Sequence, residues 1–312
     1  MVIAAYQAAS TVVEAIESAV GQSVPPAEVL VVDDGSTDGT EQVLRPYHRA
    51  ITYIRQANRG AAAAKNVGFQ RASGEFVAIL DADDVYEPGA LAGLTELAVA
   101  RPDLDILQVD LFLEVGGEIV GRFSEKTPFP VENQNLAIIE NCFLAEPAVR
   151  RSTMTAIGGF DESLRIAHDW ECWIRLLHKG SAAGFVDEPL MRYRLGDTSL
   201  TADRVASLRE RVSVLERASL LDLAPAERQE VERFLPPRRV RALMAEAEQA
   251  LRERRADARL RALGIARLSG VKPATRVAAL AAALAPEAAA RHLERSEAKT
   301  GVSRVKRPAP RA

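Results

Sequence analysis

The chain has little of what small secreted or metal-stapled domains depend on. Its 312 residues include only two cysteines, Cys142 and Cys172, with no Cys-x-x-Cys pair and no histidine at zinc spacing beside them. Neither a disulfide framework nor a structural zinc is expected, and a reducing compartment fits. Long apolar runs are missing as well. A membrane-spanning helix needs roughly 18 uninterrupted apolar residues; the nearest run, VAALAAALA at 277–285, is bounded by Arg276 and Pro286. The opening MVIAAYQAAS lacks a basic stretch followed by a long apolar one, so it does not read as a signal peptide. A large excess of one charge is also absent. The net charge of -3 gives no global reason to expect a nucleic-acid partner. No internal repeat is visible. What the chain does have is 47% hydrophobic residues, enough for a sizeable core in one large domain or one domain plus an appendage.

The first half alternates strand and helix patterns. VIAA (2–5), the β-branched run EVLVV (28–32), ITYIR (51–55), EFVAIL (75–80) and DILQVDLFLEV (105–115) read as strands. Between them, Thr11-Val-Val-Glu14 reads as a capping box opening a helix that carries Val13, Ile16 and Val20. DDGSTDGT reads as a turn into a helix with Ser36 or Thr37 as N-cap. GAAAAKNVGFQRAS (60–73) is a small-residue helix ended by Gly74, and Pro88 is expected in the first turn of the next helix. Gly116-Gly117 marks a hairpin into EIVGRF. DWECWIRLLHKG (169–180) is a helix, and AGFVDEPLMRYRL (183–195) is extended. This series predicts an α/β fold with a mainly parallel sheet, helices on both faces, and ligands beyond the carboxyl ends of the strands. From about residue 200 the composition shifts to Ala, Arg, Glu and Leu in amphipathic helical patterns. The domain reading is 1–200 catalytic, 201–300 a helical extension, and 301–312 a disordered basic tail.

Two strands run straight into carboxylates: VVDDGSTDGT and AILDADDVY. Both clusters are expected on one rim of the sheet. Like-charged side chains held together repel, and a hard divalent cation offsets that repulsion. Mg²⁺ commonly takes one or two protein carboxylates and completes its shell with water and substrate phosphates. Asp81 and Asp83 offer that number. A plain Asp-rich turn is the competing explanation for an isolated DADD.

Six segments in order, VIAAYQAASTVVEAIESAV, EVLVVDDGSTDGT, NRGAAAAKNVG, GEFVAILDADDVYEPGAL, GGFDESL and HDWECWIRL, resemble glycosyltransferase family 2, over about residues 2–200. The resemblance implies a GT-A (Rossmann-like nucleotide-diphospho-sugar transferase) fold and an inverting, non-processive, metal-assisted enzyme. It implies that Tyr6 flanks the nucleotide base and that Asp34, with Asp33 beside it, hydrogen-bonds that base. Arg59 and Lys65 would face the diphosphate. Asp81 and Asp83 would form the DxD pair, with Asp83 the direct ligand of Mn²⁺ or Mg²⁺ and Asp81 nearer the ribose. Asp169 would be the general base, and Gly158 to Asp161 would shape the acceptor side. The chemistry of inverting transfer needs such a base on the acceptor hydroxyl and neutralisation of the departing diphosphate. For Asp169 the alternative is a helix N-cap.

The sequence departs from the family pattern in places. The Pro-x-Tyr-Asn opening is Ala4-Ala5-Tyr6-Gln7, close to the chain start. The usual Glu before the base is His168, which either tunes the base, touches the diphosphate or simply opens a helix. Where a His is common near the end of the catalytic domain stands Gly196, with Asp197 as a substitute ligand. A Gln-x-x-Arg-Trp motif is absent, which disfavours a processive synthase. The resemblance places the activity in bacterial surface-glycan assembly in the cytoplasm, with a nucleotide-diphosphate sugar as donor and a saccharide or lipid-linked saccharide as acceptor. Nucleic acid is not an expected partner. Residues 276–293 are the candidate peripheral contact with the inner face of the membrane, against the alternative of an ordinary solvated helix. A nucleotide-sugar-binding relative without transferase activity is the rival reading. A nucleotidyltransferase is disfavoured, because the glycine-rich phosphate loop usual near its N-terminus is missing.

Overall fold

The computed structural model describes residues 1–196, 203–267, 271 and 273–300. It begins with β1 (Val2–Ala5), α1 (Val12–Val20), β2 (Leu30–Asp33), α2 (Thr40–Leu44), β3 (Thr52–Arg55), α3 (Ala61–Arg71), β4 (Phe76–Asp81) and β5 (Val85–Tyr86). Next come α4 (Ala90–Ala100), β6 (Ile106–Val115), β7 (Glu118–Arg122), α5 (Phe123–Lys126), α6 (Gln134–Glu140), β8 (Ala148–Arg150), α7 (Arg151–Ala156), α8 (His168–His178) and β9 (Ala183–Arg194). The remaining helices are α9 (Arg204–Ala218), α10 (Pro225–Arg252), α11 (Ala258–Arg267), α12 (Pro273–Leu284) and α13 (Pro286–Thr300). The chain divides into two compact units, Met1–Gly196 with Arg217–Val231, and Asp197–Glu216 with Glu232–Ala312.

All the strands lie in the first unit, in the order β3-β2-β1-β4-β8-β6-β9-β5, with β7 paired to β6. The β3-β2-β1-β4 half is parallel throughout. β8 then inserts antiparallel to both β4 and β6, while β6 and β9 run parallel. The Gly116-Gly117 hairpin forms as its sequence indicates, joining β6 to β7. β2 is buried at all four positions, as a β-branched run covered on both faces should be. Ile3, Val31 and Leu80 from three neighbouring strands meet Ile16 of α1 in one continuous core.

α3 shows why its sequence is so poor in large residues. Ala62, Ala63 and Ala64 are buried, and a Cβ added at Gly68 would lie 2.2 Å from Cγ1 of Val2. The helix therefore sits directly on β1, and this close approach fixes where its polar residues Lys65 and Asn66 point.

Three local expectations are corrected. Thr11 occupies the N-cap of α1 but makes no side-chain cap, because Glu14 is drawn instead to Arg194 at 2.6 Å. Ser36 and Thr37 do not cap α2; Gly39 does, in the left-handed conformation. Ser36 and Thr37 are taken up by Gln7, whose backbone N–H donates to Ser36 Oγ (2.9 Å) and whose Oε1 accepts from Thr37 N (2.7 Å). Pro88 lies one residue ahead of Gly89, the N-cap of α4, rather than in its first turn.

The second unit is helical and is held by small clusters. Ala247, Ile265, Val271 and Ala279 form one, and Ala250, Leu251 and Ala258 another. Glu246 accepts hydrogen bonds from Arg209 and Arg261. α10 continues through Pro236 and Pro237. No helix among the described residues is long and apolar enough to cross a membrane. The basic tail at 301–312 and Asp197 fall outside the described residues.

Candidate active site

Strand register brings the two carboxylate clusters to one rim. Ala5 of β1 pairs with Asp33, and Ala4 pairs with Asp81, so β2 and β4 deliver their terminal aspartates on either side of β1. This is the point where the strand order reverses, at which open α/β sheets bind ligands. Tyr6 follows β1 directly and is 53% exposed, free to offer its ring to a ligand.

The first cluster is committed to holding loops. Asp33 is fully buried and accepts Tyr53 Oη–H at 2.6 Å and Ser36 N–H at 2.8 Å. Burial, reinforced by that contact, pushes the Tyr53 hydroxyl well above its ordinary range. Asp34 Oδ1 accepts from Gln56 Nε2 (2.7 Å) and Arg59 N (2.9 Å), and Oδ2 from Gly60 N (2.7 Å). Asp34 thereby pins residues 56–60 ahead of α3. The sequence reading gave both aspartates to the nucleotide base; the structure shows each already supplied with protein donors.

The second cluster is different. Lys65, almost wholly buried, places Nζ 2.8 Å from Asp81 Oδ1. Burial works against the lysine's charge, but Asp81, Glu146 and Asp169 outweigh it, and the pKa is raised. Asp81 is correspondingly lowered; burial opposes its ionisation and Lys65 more than offsets the penalty. Asp83 is exposed, and its carboxylate is bonded by no other residue's side chain, only by its own backbone N–H, while its backbone carbonyl accepts from Arg194. Burial and the neighbouring Asp81 charge raise its pKa.

Two further acids behind this pair escaped the sequence reading of the site. Glu146, with a left-handed backbone (φ 50°), accepts the Asp81 backbone N–H through Oε2 at 2.9 Å. Asp84 accepts the Arg194 backbone N–H at 2.6 Å. Burial pushes Asp84 up to about 8 and Glu146 well above the usual range, and the two carboxyls lie within hydrogen-bonding reach of each other. Burial and mutual repulsion disfavour ionisation of this pair, whereas Lys65 favours ionisation of Asp81. The only sequence signal for Glu146 is an acid in the otherwise apolar stretch CFLAEPAV.

α8 brings Asp169 to the same rim. Its charge acts on Lys65 and on the half-buried Tyr193, and His168 acts on Asp81. The N-cap of α8 is Ala167, so Asp169 sits inside the first turn and the capping explanation does not hold. Its Oδ1 accepts the following Trp170 N–H at 2.6 Å. Behind it, Phe160 stands edge-on to His168, Trp173 and Phe69, with ring centroids 5.6, 5.6 and 6.0 Å away. Asn66 locks this arrangement to α3: it accepts from Phe160 N (2.8 Å) and donates to Phe160 O (2.9 Å). Gly159, at φ 78°, has no room for a Cβ, which would meet Asn66 Oδ1 at 2.5 Å. Asp161 is engaged by Ser163 and Arg217, and Arg59 by Glu162 at 2.5 Å.

The donor set suits a divalent cation only in part. Among the described residues no group of three His, Cys, Asp or Glu side chains is poised to hold a metal alone. One open carboxylate, Asp83, beside the Lys65-bound Asp81 matches an ion that takes most of its ligands from phosphate and water.

The comparisons with known proteins agree with this geometry. The description "Glycosyl transferase family 2" matches residues 1–153. The succinoglycan biosynthesis protein ExoO of Rhizobium meliloti is 34% identical over 188 residues, spanning 54% of this chain and 52% of that one. The structure of S. aureus TarS 1-349 in complex with UDP-GlcNAc superposes with TM-score 0.64 at 19% identity, covering 96% of this chain and 91% of that one. The mannosyltransferase PcManGT from Pyrobaculum calidifontis, in complex with GDP-Man and Mn2+, gives TM-score 0.61 at 23% identity, covering 95% and 83%. The fold is GT-A, its mixed sheet parallel through the half that carries the site. Through residues 1–153, the chain belongs to glycosyl transferase family 2.

Proposed function

We propose that this glycosyltransferase moves a sugar from a nucleotide-diphosphate donor to an acceptor hydroxyl with inversion, in the assembly of a bacterial surface polysaccharide. The observation that carries the reading is the convergence of Lys65, Asp81, an exposed Asp83 and Asp169 on one sheet rim. The bound nucleotide sugars of the two structural neighbours support the donor class, and the ExoO relative supports the setting. Residues 1–200 form the catalytic domain in this reading and 201–300 a helical extension.

Each residue then has a role. The Asp169 carboxylate takes the proton of the acceptor hydroxyl as that oxygen bonds to the anomeric carbon. The bond from that carbon to the diphosphate breaks, and its electron pair leaves on the nucleotide. Lys65 and Arg59 lie to the diphosphate side, and Lys65 also holds Asp81 in register. Tyr6 flanks the base, and Asp34 shapes the base pocket through the 56–60 loop. Asp83, with Asp81, would hold Mn²⁺ or Mg²⁺, which when bound neutralises charge on the leaving diphosphate.

The test is a transfer assay over a panel of UDP-, GDP- and dTDP-sugars with synthetic saccharide acceptors, with product stereochemistry read by NMR. A product of inverted anomeric configuration is expected. A retained configuration contradicts the role given to Asp169. A donor that binds but is never transferred to any acceptor supports the binding-only alternative.

A further inference from the structure

α12 faces the wrong way for a helix of a soluble bundle. Such helices turn their large apolar residues inward. α12 instead buries Ala279 and Ala283, while Val277, Leu280 and Leu284 are 66%, 42% and 80% exposed. At 3.6 residues per turn these three side chains fall within an arc of about 60°. Ala281, about 40° beyond that arc on the Val277 side, is exposed as well. No acidic residue occurs in the helix, and Arg276 is its one charged residue. The inner side is fixed by Ala279, which packs with Ala247, Ile265 and Val271, and by Ala282, which packs against Ala250, Leu251 and Ala258. The outer face is therefore a fixed apolar strip and not a frayed end.

The charge of the C-terminal sequence that contains the strip points to what would cover it. Residues 258–312 carry twelve Lys or Arg against three Glu, a local charge of +9 in a chain whose total is -3. A second copy of the chain docking through this face would bring two such segments together, and like charges would oppose it. A nucleic acid would satisfy the charge but leave the strip in water. An anionic lipid surface satisfies both, because apolar side chains enter the acyl boundary while basic residues meet the headgroups.

We propose that α12 is a membrane-contact helix that lays Val277, Leu280 and Leu284 on an anionic bilayer. The inference goes beyond the donor chemistry and does not rest on it, since vesicle binding is read without any transfer reaction. It also narrows the contact suggested by sequence from residues 276–293 to the outward face of α12.

The experiment is flotation of the full-length protein with phosphatidylcholine vesicles, with and without phosphatidylglycerol. The wild type should float with the anionic vesicles and stay behind with the neutral ones. Leu280→Ser with Leu284→Ser should weaken that binding on the order of tenfold or more per leucine. Asp83→Ala should bind vesicles as the wild type does, whatever its effect on the donor site. A second readout uses Leu284→Trp with brominated lipids. The introduced tryptophan should be quenched, while the native Trp170 and Trp173, both buried, should not be. No flotation with anionic vesicles overturns the proposal. So does flotation that survives both serine substitutions with Leu284→Trp unquenched. Self-association of the wild type that these serines abolish, without vesicle binding, assigns the strip to a second copy; retention on RNA or DNA with no lipid binding assigns the charge to nucleic acid.

Discussion

In the N-terminal unit Ile3, Ile16, Ile79, Leu80 and Ile106 are all at most 1% exposed, whereas in the C-terminal unit, beside the fully buried Val214 and Leu215, most of the buried apolar positions are alanines such as Ala250, Ala262 and Ala290. Leu260, Val277 and Leu284 of that second unit look outward at 66% exposure or more. The difference teaches what each region is built to do. A sheet packed by large side chains holds a few carboxylates and one lysine in fixed register at its rim, as a site that must be organised before substrate arrives requires. A bundle joined through alanines and arginine–glutamate contacts has little core to protect and can afford to present its leucines elsewhere.

The sharpest way to test the first half of this contrast is to remove the proposed base. Asp169→Asn should lower transfer roughly 100- to 10,000-fold while leaving donor binding unchanged. Single-turnover rates and donor titrations on the same variant separate the two.

Core truncation should divide the two units next. Ile3→Ala should cost about 2–5 kcal/mol, because it opens a cavity in the sheet core. Leu284→Ala, at an exposed position, should stay within about 0.5 kcal/mol. Urea unfolding of each variant measures both, and equal losses would break the comparison.

A smaller effect is expected at the seam between α3 and β1. Gly68→Ala puts a methyl group against Val2 and should cost about 1–3 kcal/mol by overpacking. Because α3 also carries Lys65, the same variant should raise KM for the donor, which steady-state kinetics would show.

The smallest effect concerns pH in the helical unit. The hydrogen bond from Arg209, aided by the Arg209 and Arg261 charges and opposed by burial, holds Glu246 below its ordinary 4.5. A carboxyl lowered in the folded state stabilises it above the unfolded pKa, and that contribution is lost as pH falls through the folded value. Hydrogen-exchange protection factors in α10 and α11, corrected for the intrinsic pH dependence of exchange, should therefore fall below about pH 4.5. Glu246→Gln should flatten that dependence, with the β1–β4 amides unaffected.

β2 was legible because a β-branched run suits a strand buried on both faces, and β1, β4 and the half-exposed edge strand β3 also lie where their apolar runs indicate. The strand-end position of Asp81 and the small-residue helix were legible for similar reasons: strand-end carboxylates and buried alanines leave marks in a few adjacent residues. The capping details were not, because Glu14, Ser36 and Thr37 are claimed by Arg194 and Gln7, partners far away in sequence. The placement of β8 between β4 and β6 was hidden by its three-residue length. Glu146 was hidden too, since its contacts with Asp81 and Asp84 are made across 65 and 62 positions and no local pattern announces them. The outward face of α12 was equally invisible, because periodicity reports that a helix has two faces and not which one is buried.

The central claim is that the second carboxylate cluster, unlike the first, is open to a cation and a nucleotide. Calorimetric titration of UDP, GDP and dTDP, with and without Mn²⁺, on the wild type and Asp83→Ala tests it directly. One nucleotide should bind the wild type in a metal-dependent way, and Asp83→Ala should abolish that dependence. Binding that is indifferent to Mn²⁺ and to Asp83, or absent for all three nucleotides, would contradict the account.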